Sequence, residues 1–226
     1  MRHVLDRPVW SALDTRHQAF AQGDALARRY PSSIVPFAAT ATDDAESLQA
    51  LQALVAPGES VIMLQADAIA LPAGLAAIST ASGVQMVLEA PLPSVSDERV
   101  HRLKQDDAAA MLALASLTKP GPFTLKALSL GDFWGIKVDG RLVAMAGERM
   151  KQPGYNELSG VCSHPDFRGG GLGRLLSVFV ANEIMARGEV PYLHAYATNA
   201  AAISLYESIG FSLRSSMHVA VVQRTG

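Results

Sequence analysis

The chain has 226 residues, a formal net charge of −2, one cysteine and a composition that is 49% hydrophobic. A near-neutral charge disfavours a general nucleic-acid-binding protein, which usually carries a basic face, so we expect no nucleic-acid partner. The single cysteine excludes an internal disulfide, and the charged segment MRHVLDRPVW lacks the apolar stretch of a signal peptide; we therefore expect a cytoplasmic protein.

The first half of the chain predicts a small α/β region. The longest uncharged run, residues 68–88, contains proline and glycine, so we interpret it as strand and turn and expect no membrane span. Helices are predicted from Pro8 through VWSALDTRHQAFAQG and over DDAESLQALQALVAPG, and strands over IVPF, SVIMLQA and VQMVLEA. The proline-containing segment APLPSVSDERV, residues 90–100, predicts a linker.

The second half carries clearer turn signals. DDAAAMLALASLTKPGPF predicts a helix, and Asp139-Gly140 predicts a type I′ turn in a β-hairpin. A strand over YNELSGVCS, a helix from Leu172 to Arg187 and a strand over PYLHAYAT follow. Asn199 and Gly210 then bracket a short helix before a last strand, SMHVAVVQR. A hairpin followed by β-α-β-α-β predicts an α/β or α+β fold with a mixed sheet.

The segment HPDFRGGGLGRLL, residues 164–176, places four glycines between a predicted strand and a predicted helix. Such a loop directs backbone N–H groups and the positive end of the helix dipole at one point, which suits a phosphate. Arg174 and Leu175 exclude a Walker loop, and Arg174 also takes the third glycine position of a dinucleotide fingerprint. A merely flexible or tightly packed glycine turn is the alternative interpretation.

Two motifs resemble those of a known family. GVCSHPDFRGGGLGRLL is similar to the acyl-CoA-binding motif of the GNAT N-acetyltransferases, and NAAAISLYESIGF is similar to the motif that follows it. The phrasing ELSGVCSHP points to the FR47-like branch. The resemblance covers about 105–226 and implies a GNAT acyl-CoA N-acyltransferase fold over residues 100–226. Residues 1–95 would then form an N-terminal α/β region, either a degenerate copy of that fold or a cap over the acceptor site.

The resemblance implies an N-acetyltransferase that uses acetyl-CoA and no metal. The acceptor would be a small-molecule amine, an amino acid or a protein N-terminus, without a membrane partner, and a homodimer is compatible with this interpretation. Tyr206 would protonate the departing thiolate. The residues that would bind coenzyme A through the loop, the preceding strand end and the next motif are Val161, Cys162, Ser163, Arg168, Gly169, Gly170, Gly171, Leu172, Gly173, Arg174 and Asn199.

The general base is left open between residues of neighbouring strands. Glu157 lies in the strand before the glycine loop, His194 is the second candidate, and Glu148 is the third. Cys162 is interpreted as a buried small apolar residue, because no histidine adjoins it in sequence. A non-catalytic acyl-CoA-binding or sensor module is the alternative function, although it would not need Tyr206. A nucleotide-binding protein is a third interpretation.

Overall fold

The computed structural model describes residues 3–225, which form five α-helices and eleven β-strands. The helices are α1 Pro8–Asp14, α2 Ala45–Leu54, α3 Ala108–Thr118, α4 Leu172–Ala186 and α5 Ala200–Ile209. The strands are β1 Gln22–Gly23, β2 Ala27–Arg29, β3 Ala38–Thr40, β4 Ser60–Gln65, β5 Leu75–Val87, β6 Val100–Arg102, β7 Phe133–Val138, β8 Arg141–Gln152, β9 Tyr155–Ser163, β10 Val190–Tyr196 and β11 Ser212–Arg224.

Eight of these strands form one mixed sheet in the order β4-β11-β5-β10-β9-β8-β7-β6. Its β9–β10 pair is parallel and its other neighbouring pairs are antiparallel, which confirms the predicted mixed-sheet class. β4 and β5 pair with β11 and β10, so strands from both halves of the chain share this sheet. The division into residues 1–95 and 100–226 stays a prediction.

Helices cover both faces of the sheet around its centre. α4 packs Leu176, Val180 and Ile184 against Trp134 and Leu158 on one face. On the other face, α3 buries Met111 and Leu114 in a cluster that also holds Met145 and Cys162. Because β8 and β9 are covered on both sides, the end of β9 is held by two layers of packed side chains. No helix in residues 3–225 is long and apolar enough to cross a bilayer.

Local turn and cap signals account for the elements that were predicted well. Asp139 and Gly140 have φ values of 50° and 77°, the left-handed conformation that a type I′ turn requires at both positions. The Asn199 side chain accepts the Ala202 N–H at 3.2 Å at the start of α5, and Gly210 ends that helix at φ 118°. Both signals act within a few residues, so they operate independently of the tertiary fold.

Three predicted elements were wrong in type or extent. IVPF forms no regular strand: Phe37 makes one isolated bridge to Ile62, and β3 starts only at Ala38. α1 ends at Asp14, and a single 3₁₀ turn over residues 18–20 replaces the rest of the predicted helix. β5 begins at Leu75, nine residues before the predicted strand, because pairing with β11 holds the Ser- and Ala-rich segment extended.

Candidate active site

The parallel strands β9 and β10 separate after three residue pairs, which opens the sheet. Their pairing runs only from Val190 opposite Tyr155 to Tyr192 opposite Glu157. From Tyr192 onwards β10 pairs with β5 on its other edge, while within the described chain the edge of β9 that faces β10 has no strand partner beyond Glu157. The backbone groups of residues 158–163 on that edge are therefore free to bind a ligand.

A bulge in β9 produces this opening. The β8–β9 register passes from Met145 opposite Cys162 to Gly147 opposite Ser159, so β9 carries an extra residue around Gly160. Gly160 has φ 65°, and a Cβ atom there would lie 2.8 Å from the Phe133 ring. Only glycine fits both the backbone angle and the space, which explains the motif's first glycine.

A cavity of about 200 Å³ lies in the gap and collects residues from distant parts of the chain. Val161 comes from β9, and His194 comes from β10. Asn199 and Tyr206, which were predicted to bind coenzyme A and to donate a proton, both line the cavity from the start and the middle of α5. The remaining wall residues include Phe37, Ile62, Leu64, Lys119, Arg149, Tyr196, Met217, Val219 and Val221.

The glycine loop continues from the end of β9 to the start of α4. Gly169 and Gly171 have φ values of 78° and 73°, and nothing lies within 4 Å of a Cβ placed at either position. α4 begins at Leu172 without a side-chain cap. The loop is thus an open glycine surface in front of a helix N-terminus, where unsatisfied N–H groups and the helix dipole favour an anion. Arg168 and Gly170 are exposed on the same loop, and Gly173 lies in the first turn of α4.

The Arg174 side chain has a structural contact that the sequence did not reveal. Its Nη1 donates to Ser208 Oγ at 2.6 Å, and its Nη2 donates to the Ser208 carbonyl at 3.2 Å. These bonds join the first turn of α4 to the last turn of α5. The Arg174 backbone N–H, rather than its guanidinium, is consequently the group that faces a ligand's phosphate in our prediction.

Tyr206 and Cys162 are both buried and differ in their surroundings. Burial, together with the neighbouring Cys162, raises the pKa of Tyr206 to about 12, so its phenol is protonated at neutral pH. Burial also raises the pKa of Cys162 to about 11, against hydrogen bonds from Thr118 and the Met145 backbone. Cys162 belongs to the apolar cluster beneath α3, as expected for a small core residue, and its thiol stays neutral.

Glu157 and His194, considered separately as bases, are direct hydrogen-bond partners. His194 Nδ1 lies 2.7 Å from Glu157 Oε1. Arg149 donates to the same carboxylate through Nε at 2.8 Å and Nη2 at 2.6 Å, and Met150 N–H donates at 3.2 Å. Burial alone would raise the pKa of Glu157, but the Arg149 charge and the hydrogen bonds from Arg149 and His194 lower it to about 2.

Gln85 fixes the tautomer of His194. The Gln85 Nε2 donates to the Leu5 carbonyl at 2.9 Å, while its Oε1 accepts from Arg214 Nη1 at 2.7 Å, so the amide has one orientation. The same Nε2 lies 2.9 Å from His194 Nε2. His194 Nε2 must therefore accept, and Nδ1 carries the hydrogen that is donated to Glu157.

Glu148 and His164 lie outside this constellation. Glu148 is buried, forms an ion pair with Lys151 at 2.8 Å, and contacts Arg187, so it is held in a separate charge cluster. His164 Nδ1 accepts the Asp166 N–H at 3.3 Å and begins the short 3₁₀ turn that leads into the glycine loop. Within residues 3–225, no group of three or more His, Cys, Asp or Glu side chains is placed to hold a metal ion.

Comparisons with known proteins identify relatives of the whole chain and of its second half. The FR47-like protein family matches residues 134–219. A GNAT-family acetyltransferase structure from Novosphingobium aromaticivorans DSM 12444 is 39% identical, with a TM-score of 0.94 and full coverage of both chains. A GCN5-related N-acetyltransferase from Kribbella flavida shares the fold, with a TM-score of 0.66 at 15% identity over 100% of this chain and 97% of its own.

A curated relative matches a shorter segment. The [ribosomal protein bS18]-alanine N-acetyltransferase of Salmonella typhimurium is 46% identical over 56 residues, which is 24% of this chain and 38% of that protein. The match thus spans well under half of the relative's length.

Proposed function

The chain belongs to the GNAT family of acetyltransferases, and we propose that it transfers an acetyl group from acetyl-CoA to a primary amine by direct attack. The observation that carries this proposal is the cavity between β9 and β10. Tyr206, Asn199 and His194 meet there beside a strand edge that has no partner strand among residues 3–225. We prefer this function to the alternative, a non-catalytic acyl-CoA-binding module, because the family relationship is to transferases and the cavity holds a protonated phenol.

The donor would lie along two adjoining backbone surfaces. The open loop from Arg168 to Gly173 and the first N–H groups of α4 would hold the pyrophosphate of coenzyme A. The free edge of β9 at residues 161–163 would hydrogen-bond the pantetheine arm as a neighbouring strand does, and Asn199 would contact it from α5. In this position, a β9 N–H polarises the thioester carbonyl.

The chemical step then needs one acid and one base. The amine nitrogen attacks the carbonyl carbon, the carbon–sulfur bond breaks, and the Tyr206 hydroxyl donates its proton to the departing thiolate. The amine's proton passes to His194 Nε2. To accept this proton, Nε2 gives up its hydrogen bond from the Gln85 amide. Glu157 serves this step by holding Nδ1 and stabilising the imidazolium, because a carboxyl with a pKa of about 2 is a weak base at neutral pH.

The acceptor class stays open at this level. The Salmonella relative is named for an alanine of a ribosomal protein, so a protein N-terminus is one candidate beside amino acids and small amines. A homodimer and a cytoplasmic location remain proposals.

The test is steady-state thiol release from acetyl-CoA with a panel of amines, with the acetylated product identified by mass spectrometry. We expect turnover with at least one amine and none with acetyl-CoA alone beyond slow hydrolysis. Calorimetry with coenzyme A measures the donor site separately. Binding of coenzyme A without any acetylated product would contradict amine transfer, and absence of binding would contradict the donor site as well.

A further inference from the structure

One wall of the cavity is apolar and is built by two paired strands. Val219 lies opposite Leu64 and Val221 lies opposite Ile62 in the β11–β4 register, so the four side chains share one face of the sheet. Met217 and Phe37 extend the same wall, and all six line the cavity. Such an apolar surface binds an alkyl group favourably, whereas contact with a charged group contributes no binding free energy.

Arg149 brings an unused pair of hydrogen-bond donors to this cavity. Its Nε and Nη2 bind Glu157 side-on, and within the described chain its Nη1 takes part in no hydrogen bond. The guanidinium lies 5.0 Å from the centroid of the Phe37 ring and lines the cavity next to the apolar wall. A guanidinium nitrogen with two free N–H groups binds a carboxylate or carbonyl oxygen.

The basic side chains that line the cavity are Lys119, Arg149 and His194, and among the described residues no Asp or Glu lines it. Glu157 is already engaged by four donors behind Arg149 and is fully buried. A polycationic acceptor such as a polyamine would therefore meet like charge without a compensating carboxylate. An acceptor that brings its own carboxylate or carbonyl matches both Arg149 and the basic rim at Lys119.

From this arrangement we propose that the acceptor is the α-amine of an apolar amino acid, held by Arg149 Nη1 at its carboxylate or first carbonyl and by the Ile62–Val221 wall at its alkyl side chain. This inference rests on the proposed acetyl transfer and specifies its second substrate. A free amino acid and the N-terminal residue of a peptide share this chemistry. The two differ in whether a carboxylate or a peptide carbonyl accepts from Arg149.

Substrate analogues test each contact without changing the protein. We expect kcat/KM, calculated for the unprotonated amine, to be at least about tenfold higher for leucine than for 3-methylbutylamine, which lacks the carboxylate, because this is the usual effect of a hydrogen bond to a charged group. Glycine should fall at least about tenfold below leucine, because it makes no contact with the wall. Leucinamide and a peptide with N-terminal leucine distinguish the free acid from the peptide as the source. Spermidine should give no more than background.

Two variants connect these preferences to named residues. In Arg149→Lys the ratio of kcat/KM for leucine to that for 3-methylbutylamine should fall towards one, a result that general damage to the fold would not produce. Val219→Asp should lower kcat/KM for leucine by at least about tenfold by charging the wall. Ile78→Asp is the matched control, since Ile78 is 57% exposed on β5 outside the cavity and the change should leave the rate unaltered.

The outcomes distinguish a failure of this acceptor proposal from a failure of the proposed acetyl transfer. Preferential acetylation of spermidine or of a lysine side chain would overturn the acceptor assignment and leave acetyl transfer standing. Equal rates for leucine and 3-methylbutylamine would overturn the Arg149 contact. Coenzyme A binding with no acetylation of any amine would overturn both the acceptor and the transfer, while the donor site would stand.

Discussion

At the scale of single residues, the site is a layered arrangement of charge around one imidazole. Glu157 is hydrogen-bonded to Nδ1 of His194, and Gln85 is hydrogen-bonded to Nε2, while Arg149 orients Glu157 and Arg214 orients Gln85. Each buried polar group thereby restricts the orientation of the next. Burying these groups as hydrogen-bonded pairs costs less free energy than burying any of them unpaired. The cavity therefore presents groups that hold a defined geometry before substrate arrives.

Tyr206→Phe tests the proton donor. The substitution keeps the ring, including its edge contact with Phe211 at 5.9 Å, and removes only the hydroxyl. If that hydroxyl protonates the thiolate, kcat and kcat/KM fall together, by about 10²–10⁴-fold, with coenzyme A affinity unchanged. Steady-state thiol release and calorimetry measure the two quantities. A kcat reduced by less than about twofold, with no pre-steady-state burst in the parent, would remove Tyr206 from this role.

Gln85→Glu tests the tautomer assignment. A carboxylate at this position accepts from Arg214 as the amide does, but it cannot donate to His194 Nε2, so the bond between the two side chains persists only where Nε2 carries a hydrogen. We expect kcat to fall at least about tenfold at neutral pH, with coenzyme A affinity retained. Imidazole ¹⁵N shifts report the change of protonation directly.

Gln152→Glu is the control for this change. Gln152 is an equally buried glutamine whose Nε2 donates to the Pro8 carbonyl at 2.9 Å rather than to His194. If both variants lose the same activity, or if His194 Nε2 stays unprotonated in Gln85→Glu, Gln85 has no positioning role.

At the scale of elements, the strand–loop–helix unit from β9 to α4 was predictable and its partners were not. The glycine loop, the following helix and the cap of α5 depend on signals a few residues apart, so their bounds agree with expectation within one or two residues. Arg149 and Gln85 lie in ordinary strand sequences and carry no local signal. Gln85 reaches His194 because β5 pairs with β10, and Arg149 reaches it only through Glu157, because β9 pairs with both β8 and β10. These contacts depend on long-range pairing.

Gly171→Glu tests the loop as an anion site. Nothing would contact the new Cβ, so the fold is expected to survive the strain of φ 73°, but a carboxylate would stand where the phosphate is proposed to bind. We expect at least about a hundredfold loss of coenzyme A affinity, measured by calorimetry, from the lost close approach and the like-charge repulsion.

Gly188→Glu supplies a matched control at the opposite end of the same helix. Gly188 has φ 74° and is equally open, so both variants carry the same backbone strain and the same added charge. Unchanged coenzyme A affinity in Gly171→Glu, or an equal loss in both variants, would contradict the site assignment.

At the scale of the whole molecule, the two halves of the chain are joined through one sheet and through buried polar groups. β4 and β5 supply cavity residues to a site whose motifs all lie after residue 150, and the buried Gln85 of the first half is hydrogen-bonded to His194 and Arg214 of the second. The sequence predicted the second-half fold through its motifs. β5 lies between β11 and β10, and β4 lies on the other side of β11. No local signal predicts these positions, because strand order depends on packing across the molecule.

The buried titratable groups predict how stability varies with pH. Burial, with the charges of Lys151 and Arg16, lowers the pKa of His17 from 6.5 to about 4. Between these two pKa values His17 is protonated in the unfolded chain and neutral in the folded protein. The free energy of unfolding therefore falls as the pH decreases from about 6.5 to about 4, and the contribution of His17 no longer changes below about pH 4. Glu157, whose pKa is lowered from 4.5 to about 2, contributes stability above pH 4.5 that is lost as the pH falls towards 2.

His17→Gln isolates the first of these two windows. Glutamine is neutral at every pH and can still bond the Tyr30 hydroxyl, so the variant should lose the acid sensitivity between pH 6.5 and 4 while keeping that below 4.5. The parent's free energy of unfolding should decrease by on the order of 2–3 kcal/mol more than the variant's across the first window. Urea unfolding of the full chain at pH 7, 6, 5 and 4, without coenzyme A, measures this difference.

His101→Gln removes an exposed histidine on β6 and should reproduce the parent's curve. A His17→Gln curve that runs parallel to the parent's between pH 6.5 and 4 would show that the buried imidazole is not what makes the folded protein sensitive to acid.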